Sequence, residues 1–131
     1  MANKSKLTPA EWEVMQAAWD LQGEVTVRDV LEHLYPDGGK AYTTVQTVMN
    51  ILEKKKLLKR KKIGLVNFYR PTRSRDQITR GEMTRLVDGV FEGSIPAVAS
   101  TLMSLDDFDL DDLEQIRALL KQREDELKGG D

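Results

Sequence analysis

The sequence of 131 residues contains no cysteine, and its one histidine is His33. Without cysteine there are no disulfides, thiolate metal sites or cysteine nucleophiles, and a single histidine argues against a metal site or a catalytic triad. No apolar run reaches the roughly 18 residues of a membrane-spanning helix, and residues 1–6 lack the apolar stretch of a signal peptide. We therefore expect a cytoplasmic protein that is not an enzyme, uses no cofactor or metal and does not bind membranes.

Acidic residues are scarce in one part of the chain. Residues 40–75 contain 11 Lys/Arg and a single acid, Glu53. Residues 1–82 carry 15 basic and 10 acidic residues (+5), whereas residues 83–131 carry 5 and 12 (−7). Such a split indicates nucleic acid as the partner of the basic part, and a solvated lysine-rich surface is the alternative.

Two capping patterns and a change of periodicity predict three helices in the first half. Thr8-Pro9-Ala10-Glu11 is typical of a helix start, and this helix is expected to end near Leu21. Thr26-Val27-Arg28-Asp29 repeats the pattern and predicts a short second helix before Pro36. A third helix is predicted to begin between Ala41 and Thr43.

The third helix has an unusual exposed face. Its buried face is predicted from apolar residues at steps of three and four: Val45, Val48, Met49 and Leu52. The opposite face carries neutral hydrogen-bonding side chains first and cations last, whereas an ordinary solvent face would mix Glu and Lys. The neutral group is Thr43, Thr44, Gln46, Thr47 and Asn50.

A strongly basic hairpin is predicted to follow. Two extended segments flank the turn Ile63-Gly64-Leu65-Val66, and the first of them contains Lys59-Arg60-Lys61-Lys62. Three helices followed by a hairpin predict a winged helix-turn-helix, in a protein that is mainly α with a small β-hairpin.

In a winged helix-turn-helix the third helix enters the major groove of DNA, and the cations of the hairpin neutralise phosphates. The predicted base-contacting residues are the five neutral ones on the third helix, because Thr, Gln and Asn bond to base edges. The predicted phosphate-contacting residues are Lys40, Lys54, Lys55, Lys59, Arg60, Lys61 and Lys62.

From Ser74 onwards the pattern is helical, with a long apolar stripe, and Pro96 predicts a kink or break. We divide the chain into a DNA-binding domain (1–73) and a helical dimerisation domain (74–131). The stripe is too apolar to stay exposed on a monomer, and its acidic polar face argues against a membrane surface. The predicted dimerisation residues are Leu86, Val87, Val90, Phe91, Ile95, Val98, Leu102, Leu113, Ile116 and Leu120.

These predictions make the protein a DNA-binding repressor. The alternative is a protein-interaction module in which the winged helix docks a partner without sequence-specific DNA binding. An enzyme would need a nucleophile–base pair or metal-ligand spacing, and the sequence contains neither.

Three segments resemble the penicillinase-repressor (BlaI/MecI/CopY) family: Leu7 to Met15, Ala41 to Val48 and Phe68-Tyr69-Arg70-Pro71. The similarity continues through Phe91-Glu92-Gly93-Ser94 to the last helix. The resemblance implies a homodimeric repressor on a palindromic operator, with the third helix on the bases and interlocked C-terminal helices.

The resemblance also implies two features of regulation and backbone. Members that respond to β-lactams are cleaved at an Asn-Phe bond after a signal from a membrane-bound sensor metalloprotease. The matching position here is Thr101-Leu102, which lacks that pair. Members that respond to copper carry a C-terminal cysteine motif, which this chain lacks.

Lys56 occupies a position where the family usually has glycine, so either it adopts a left-handed conformation or the turn differs.

Overall fold

A computed structural model of the protein describes residues 6–129. Within that range the elements are α1 (Pro9–Leu21), α2 (Val27–Leu34), α3 (Tyr42–Lys54), β1 (Leu58–Ile63), β2 (Val66–Pro71), α4 (Arg75–Val90), α5 (Ile95–Met103) and α6 (Leu110–Gly129). The chain divides into two compact units, the first ending at Thr84 and the second beginning at Arg85. The predicted three helices and hairpin, followed by further helices, are confirmed.

Reciprocal capping fixes the starts of α1 and α2. The N–H of Glu11 donates to Thr8 Oγ1 at 3.2 Å, and the N–H of Thr8 donates to Glu11 Oε1 at 3.1 Å. Thr26 and Asp29 form the same pair of bonds, both at 3.0 Å. Each box satisfies helix N–H groups that have no partner inside the helix, so both predicted starts are confirmed.

The core of the first unit lies where the apolar faces of α1, α2 and α3 meet the hairpin. Met15, Val30, Met49 and Leu52 are fully buried there. Val45 is also buried, and Val48 is partly buried against the same cluster. The predicted inner face of α3 is therefore confirmed, and the geometry of a helix places the polar positions between these residues on the outside.

A buried ion pair joins the start of α1 to the end of α3. Glu11 is 5% exposed, and its Oε1 lies 2.7 Å from Lys55 Nζ. The ammonium also donates to the carbonyl of Lys6 at 3.2 Å. A buried carboxylate needs a partner, and Lys55 is that partner here. Lys55, one of the predicted phosphate contacts, therefore has a partner within the protein, the carboxylate of Glu11.

The two strands form an antiparallel hairpin that pairs Leu58 with Pro71 at one end and Ile63 with Val66 at the other. The turn is Gly64-Leu65, and Gly64 has φ +64°, a conformation that favours glycine. We call this hairpin the wing.

Lys56 has φ +67° and ends α3 in the left-handed conformation. Its N–H donates to the carbonyl of Glu53 and the N–H of Leu57 donates to that of Leu52, both at 3.0 Å. Thr72 Oγ1 also donates to the carbonyl of Lys56 at 2.7 Å. Of the two possibilities raised by the sequence, the structure has the left-handed lysine, and the bonds around it hold that conformation.

The first compact unit extends past the predicted boundary at residue 73, because the beginning of α4 packs on it. Ile78 is buried in the same core as Met15 and Met49. Trp19 Nε1 donates to the carbonyl of Arg73 at 3.0 Å, and Arg75 pairs with Asp20 at 2.7 Å. The two compact units therefore separate within α4.

In the second unit, α4 ends and α5 begins with an abrupt turn. Glu92 (φ +52°) and Gly93 (φ +83°) reverse the backbone, and Ser94 caps α5 by accepting from the N–H of Ala97 at 3.1 Å. Pro96 lies in the first turn of α5, where a missing N–H costs nothing. The predicted break is confirmed, and Pro96 marks the start of the next helix. Over residues 6–129, no helix combines the length and the apolar character that crossing a membrane requires.

Candidate nucleic-acid interface

The outer face of α3 presents three hydroxyls and an amide. Thr43, Thr44 and Thr47 are exposed, and Gln46 between them is half-buried. Val45 and Met49 on the inner face are buried, which fixes the rotation of the helix. The structure therefore places four of the five predicted base-contacting residues on one outward surface.

Asn50, the fifth, lies at the edge of that surface and has an internal partner. Its Oδ1 accepts a hydrogen bond of 2.8 Å from the hydroxyl of Tyr69, which is 1% exposed. The Tyr69 backbone also exchanges bonds of 2.9 and 2.7 Å with Val25. Asn50 thus attaches α3 to the wing, a role that sequence reasoning missed.

Strand alternation divides the wing cations between its two faces. Residues directly opposite in the register share a face, so Arg60 and Lys62 lie on the side of Tyr69, which faces α3. Lys59 and Lys61 lie on the other side. Lys61 Nζ is 3.3 Å from Glu24 Oε2, so its charge is partly compensated. All four side chains are exposed.

Two further predicted phosphate contacts lie outside the wing. Lys54 is exposed at the end of α3. Lys40, also exposed, precedes α3 and holds its ammonium 5.9 Å from the centre of the Tyr35 ring. A hydrogen bond to Glu13, followed by burial and the charge of Glu13, raises the pKa of Tyr35. The ring facing Lys40 is therefore a neutral phenol, which suits a cation–π contact.

A cleft of about 390 Å³ opens between the beginnings of α2 and α3 and the tip of the wing. Arg28, Tyr42, Gln46 and Leu65 line it. The guanidinium carbon of Arg28 lies 5.4 Å from the centre of the Tyr42 ring. Sequence reasoning missed this cleft because no local pattern links Arg28 to Tyr42. The one available signal was Leu65, an apolar residue in the turn of the hairpin, where exposure is expected.

All the predicted dimerisation residues lie in the second unit, which begins near the end of α4. Leu86, Val90, Ile95, Leu102 and Leu120 are exposed in the single chain, and Val87, Phe91, Leu113 and Ile116 are half-buried. Val98 is buried within its own chain, so its packing requires no partner.

The bond between Thr101 and Leu102 lies in the last turn of α5. The carbonyl of Thr101 accepts bonds from the N–H and hydroxyl of Ser104 at 3.0 and 2.7 Å. The position matched to the family's cleavage bond is therefore helical here.

Comparison with known proteins places the chain among repressors. A family model described as "Penicillinase repressor" matches residues 7–122. Relatives include the "Transcriptional regulator BlaI" of Mycobacterium tuberculosis, 36% identical over 83 residues, which covers 63% of this chain and 60% of that protein. The "Penicillinase repressor" of Staphylococcus aureus is 22% identical over 121 residues, covering 92% of this chain and 95% of that protein.

Other matches are shorter or weaker. An uncharacterised 16.5 kDa protein of Latilactobacillus sakei is 39% identical over 62 residues, which are 47% of this chain and 42% of that protein. The matches thus span less than two thirds of the length of the Latilactobacillus and Mycobacterium relatives. The solution structure of the DNA-binding domain of the repressor BlaI superposes with a TM-score of 0.49 at 28% identity, covering 57% of this chain and 90% of that one. Since the family model extends from the first helix into the last, the chain belongs to the penicillinase repressor family, a family of transcriptional repressors and not of enzymes.

Proposed function

We propose that this protein is a cytoplasmic transcriptional repressor that binds a palindromic operator in double-stranded DNA as a homodimer. The observation that carries the proposal is the outer face of α3, where Thr43, Thr44 and Thr47 are exposed beside a basic wing. Because these side chains lie outside the core, they do not contribute to its packing and are open to contact with a partner.

The chemistry of that face matches base edges in the major groove. Gln46 has a donor and an acceptor that suit the N6 and N7 positions of adenine, and each threonine offers a hydroxyl and a methyl group for thymine. The major groove is wide enough to admit an α-helix. These residues would supply sequence preference.

The cations around this face would supply affinity without sequence preference. They are Lys40 and Lys54 near the two ends of α3 and Lys59, Arg60, Lys61 and Lys62 on the wing. Lys55 is left out because its ammonium pairs with Glu11.

The homodimer is proposed from the apolar surface that a single chain leaves open. Val90, Ile95 and Leu120 are 66%, 71% and 65% exposed. A second copy would cover such side chains, and two winged helices related by a two-fold axis fit two half-sites of a palindrome. Sedimentation should show a dimer that Val90→Asp and Leu120→Asp weaken; a monomer at all concentrations would contradict this part.

Fluorescence anisotropy with the DNA upstream of the protein's own gene tests DNA binding. Gln46→Ala should cost about 1–3 kcal/mol on the preferred site and little on random duplex. Gln16→Ala, which removes an exposed glutamine from α1, is the matched control. Binding without sequence preference even in dilute salt, or a complex with no DNA but with another protein, would contradict the proposal.

Control by a sensor protease would be a separate property of this repressor. The bond between Thr101 and Leu102 is helical, and a protease needs an extended substrate, so cleavage there would first require the end of α5 to unfold. Incubation with a candidate sensor protease followed by mass spectrometry of the fragments tests this position.

A further inference from the structure

We infer that the cleft between α2, α3 and the tip of the wing holds the backbone of one DNA strand. In this arrangement Arg28 binds a phosphate and Leu65 packs on the neighbouring deoxyribose. The inference rests on the proposed function. It adds Arg28 of α2 and Leu65 of the wing to the proposed interface, two residues that no sequence pattern had connected.

The position of the cleft supports this occupant. Gln46 lines it from α3, and Asn67 and Val66 line it from the wing. A strand whose bases meet the outer face of α3 must carry its backbone past one side of that helix. The cleft lies directly on that side, beside Gln46.

Arg28 is suited to a phosphate. Its side chain is exposed at the beginning of α2, and its guanidinium lies over the ring of Tyr42. Stacking on the ring restricts the side chain before DNA arrives, and the planar guanidinium can bind a phosphate through two parallel hydrogen bonds. In the described part of the chain no carboxylate forms an ion pair with Arg28.

Leu65 is suited to the sugar. It is 95% exposed at the tip of the wing, and Ile63 and Val66 beside it are about half exposed. The fold gains nothing from a leucine whose side chain contacts almost only water. Deoxyribose offers an apolar surface between phosphates, and apolar side chains pack into DNA grooves in other architectures.

Charge favours DNA over a protein as the occupant of this cleft. Residues 40–75, which include Tyr42 and the whole wing, carry 11 basic residues and one acid. The tip of the wing is therefore an apolar side chain surrounded by positive charge. This combination fits the DNA backbone, in which apolar sugars alternate with charged phosphates.

The test is a salt series of anisotropy titrations with the full chain, from about 50 to 200 mM salt, on operator and random duplex. Arg28→Ala should weaken both complexes roughly tenfold near 0.1 M salt and lower the slope of log affinity against log salt by about one unit. Leu65→Ala should weaken both roughly fivefold with the slope unchanged, because it removes an apolar contact. Leu65→Lys should raise the slope by about one unit.

Two variants away from the cleft serve as matched controls. Arg123→Ala removes an exposed arginine from α6, and Leu21→Ala removes a leucine that is 36% exposed at the end of α1. Neither should change the affinity or the slope. Circular dichroism and thermal unfolding should show all five variants folded, since every substituted side chain is exposed.

Failure of the inference is distinct from failure of the proposed function. If the unsubstituted protein binds neither duplex, the proposed function fails. If it binds while Arg28→Ala and Leu65→Ala match their controls, only the inference is overturned. It is also overturned if Arg28→Ala weakens the operator alone, which would make Arg28 a base contact. Binding of inorganic phosphate that depends on Arg28, with no change in DNA affinity, would identify a free anion as the occupant and overturn it as well.

Discussion

The hydrogen bond between Tyr69 and Asn50 holds the wing against α3, and its removal should lower the free energy of unfolding. Tyr69→Phe deletes the donor of the 2.8 Å bond and leaves the buried ring in place. No cavity larger than the lost oxygen forms, so the change isolates one hydrogen bond. Such bonds contribute about 0.5–1.5 kcal/mol to the free energy of unfolding. Asn50 is only half-buried, so water can reach its oxygen, and we expect a loss of about 1 kcal/mol.

A double-mutant cycle tests whether Asn50 is the partner. Asn50→Ala should also cost about 1 kcal/mol, and adding Tyr69→Phe to it should cost little more, because the bond is already lost. Urea denaturation of the four proteins gives the coupling energy, which we expect to be about 1 kcal/mol. Tyr35→Phe is the control, because it removes a hydroxyl whose partner, Glu13, is exposed. That variant should change stability by less than about 0.5 kcal/mol.

Titration with DNA separates this structural role of Asn50 from direct base contact. If Asn50 only orients the wing, Asn50→Ala and Tyr69→Phe should weaken DNA binding to similar extents without changing the preferred base at any position. A coupling energy below about 0.3 kcal/mol would refute the reasoning, since even independent sites depart from additivity by about 0.3–0.5 kcal/mol. So would a loss of base preference in Asn50→Ala that Tyr69→Phe does not share.

Three further predictions concern single side chains. Lys56→Gly should raise the free energy of unfolding by about 0.5–1 kcal/mol in urea denaturation, because glycine adopts the observed φ of +67° without steric cost; a loss would contradict this. Glu24→Gln should raise the affinity for random duplex a few-fold (roughly 0.5 kcal/mol), because it removes the carboxylate beside Lys61; an unchanged affinity would show that Lys61 does not contact DNA. Glu11→Ala should lower the free energy of unfolding by about 2 kcal/mol, since it removes the carboxylate half of the capping box and leaves Lys55 unpaired. Lys55→Gln should lower it at least as much in the same urea denaturation, because it leaves the buried Glu11 carboxylate without its cation; an unchanged stability would contradict this.

Local chemistry explains why the elements were predictable. The capping boxes at Thr8 and Thr26 involve residues three apart, so the sequence alone contains both partners of each bond. The buried face of α3 follows from a period of 3.6, and the wing turn follows from Gly64 between two extended segments. None of these depends on a distant part of the chain.

The contacts that sequence analysis missed all join residues that are distant along the chain. Lys55 looks like the cation next to it, Lys54, and only the position of Glu11 on another helix separates their roles. Asn50 lies on the polar face of α3, and only the position of Tyr69 on the wing gives its side chain a partner within the protein. Arg28 lies far from Tyr42 in sequence, so their contact depends on how α2 and α3 cross. Each of these contacts depends on how distant segments pack together, which a local sequence pattern does not reveal.

These contacts bear on what the basic charge would contribute in the proposed DNA interface. Each phosphate that a cation neutralises adds roughly 0.9 to the salt slope. Lys55 pairs with Glu11 and Lys61 pairs at the surface with Glu24, so each of these two predicted phosphate contacts has a carboxylate that would compete with phosphate. Arg28 of α2, which lines the cleft, would add one positive charge to the proposed interface. In the proposed interface, affinity would therefore depend less on cations than the number of predicted phosphate contacts indicates. The balance would come from contacts that salt does not screen, which are the hydroxyls and amide on α3 and the leucine at the tip of the wing.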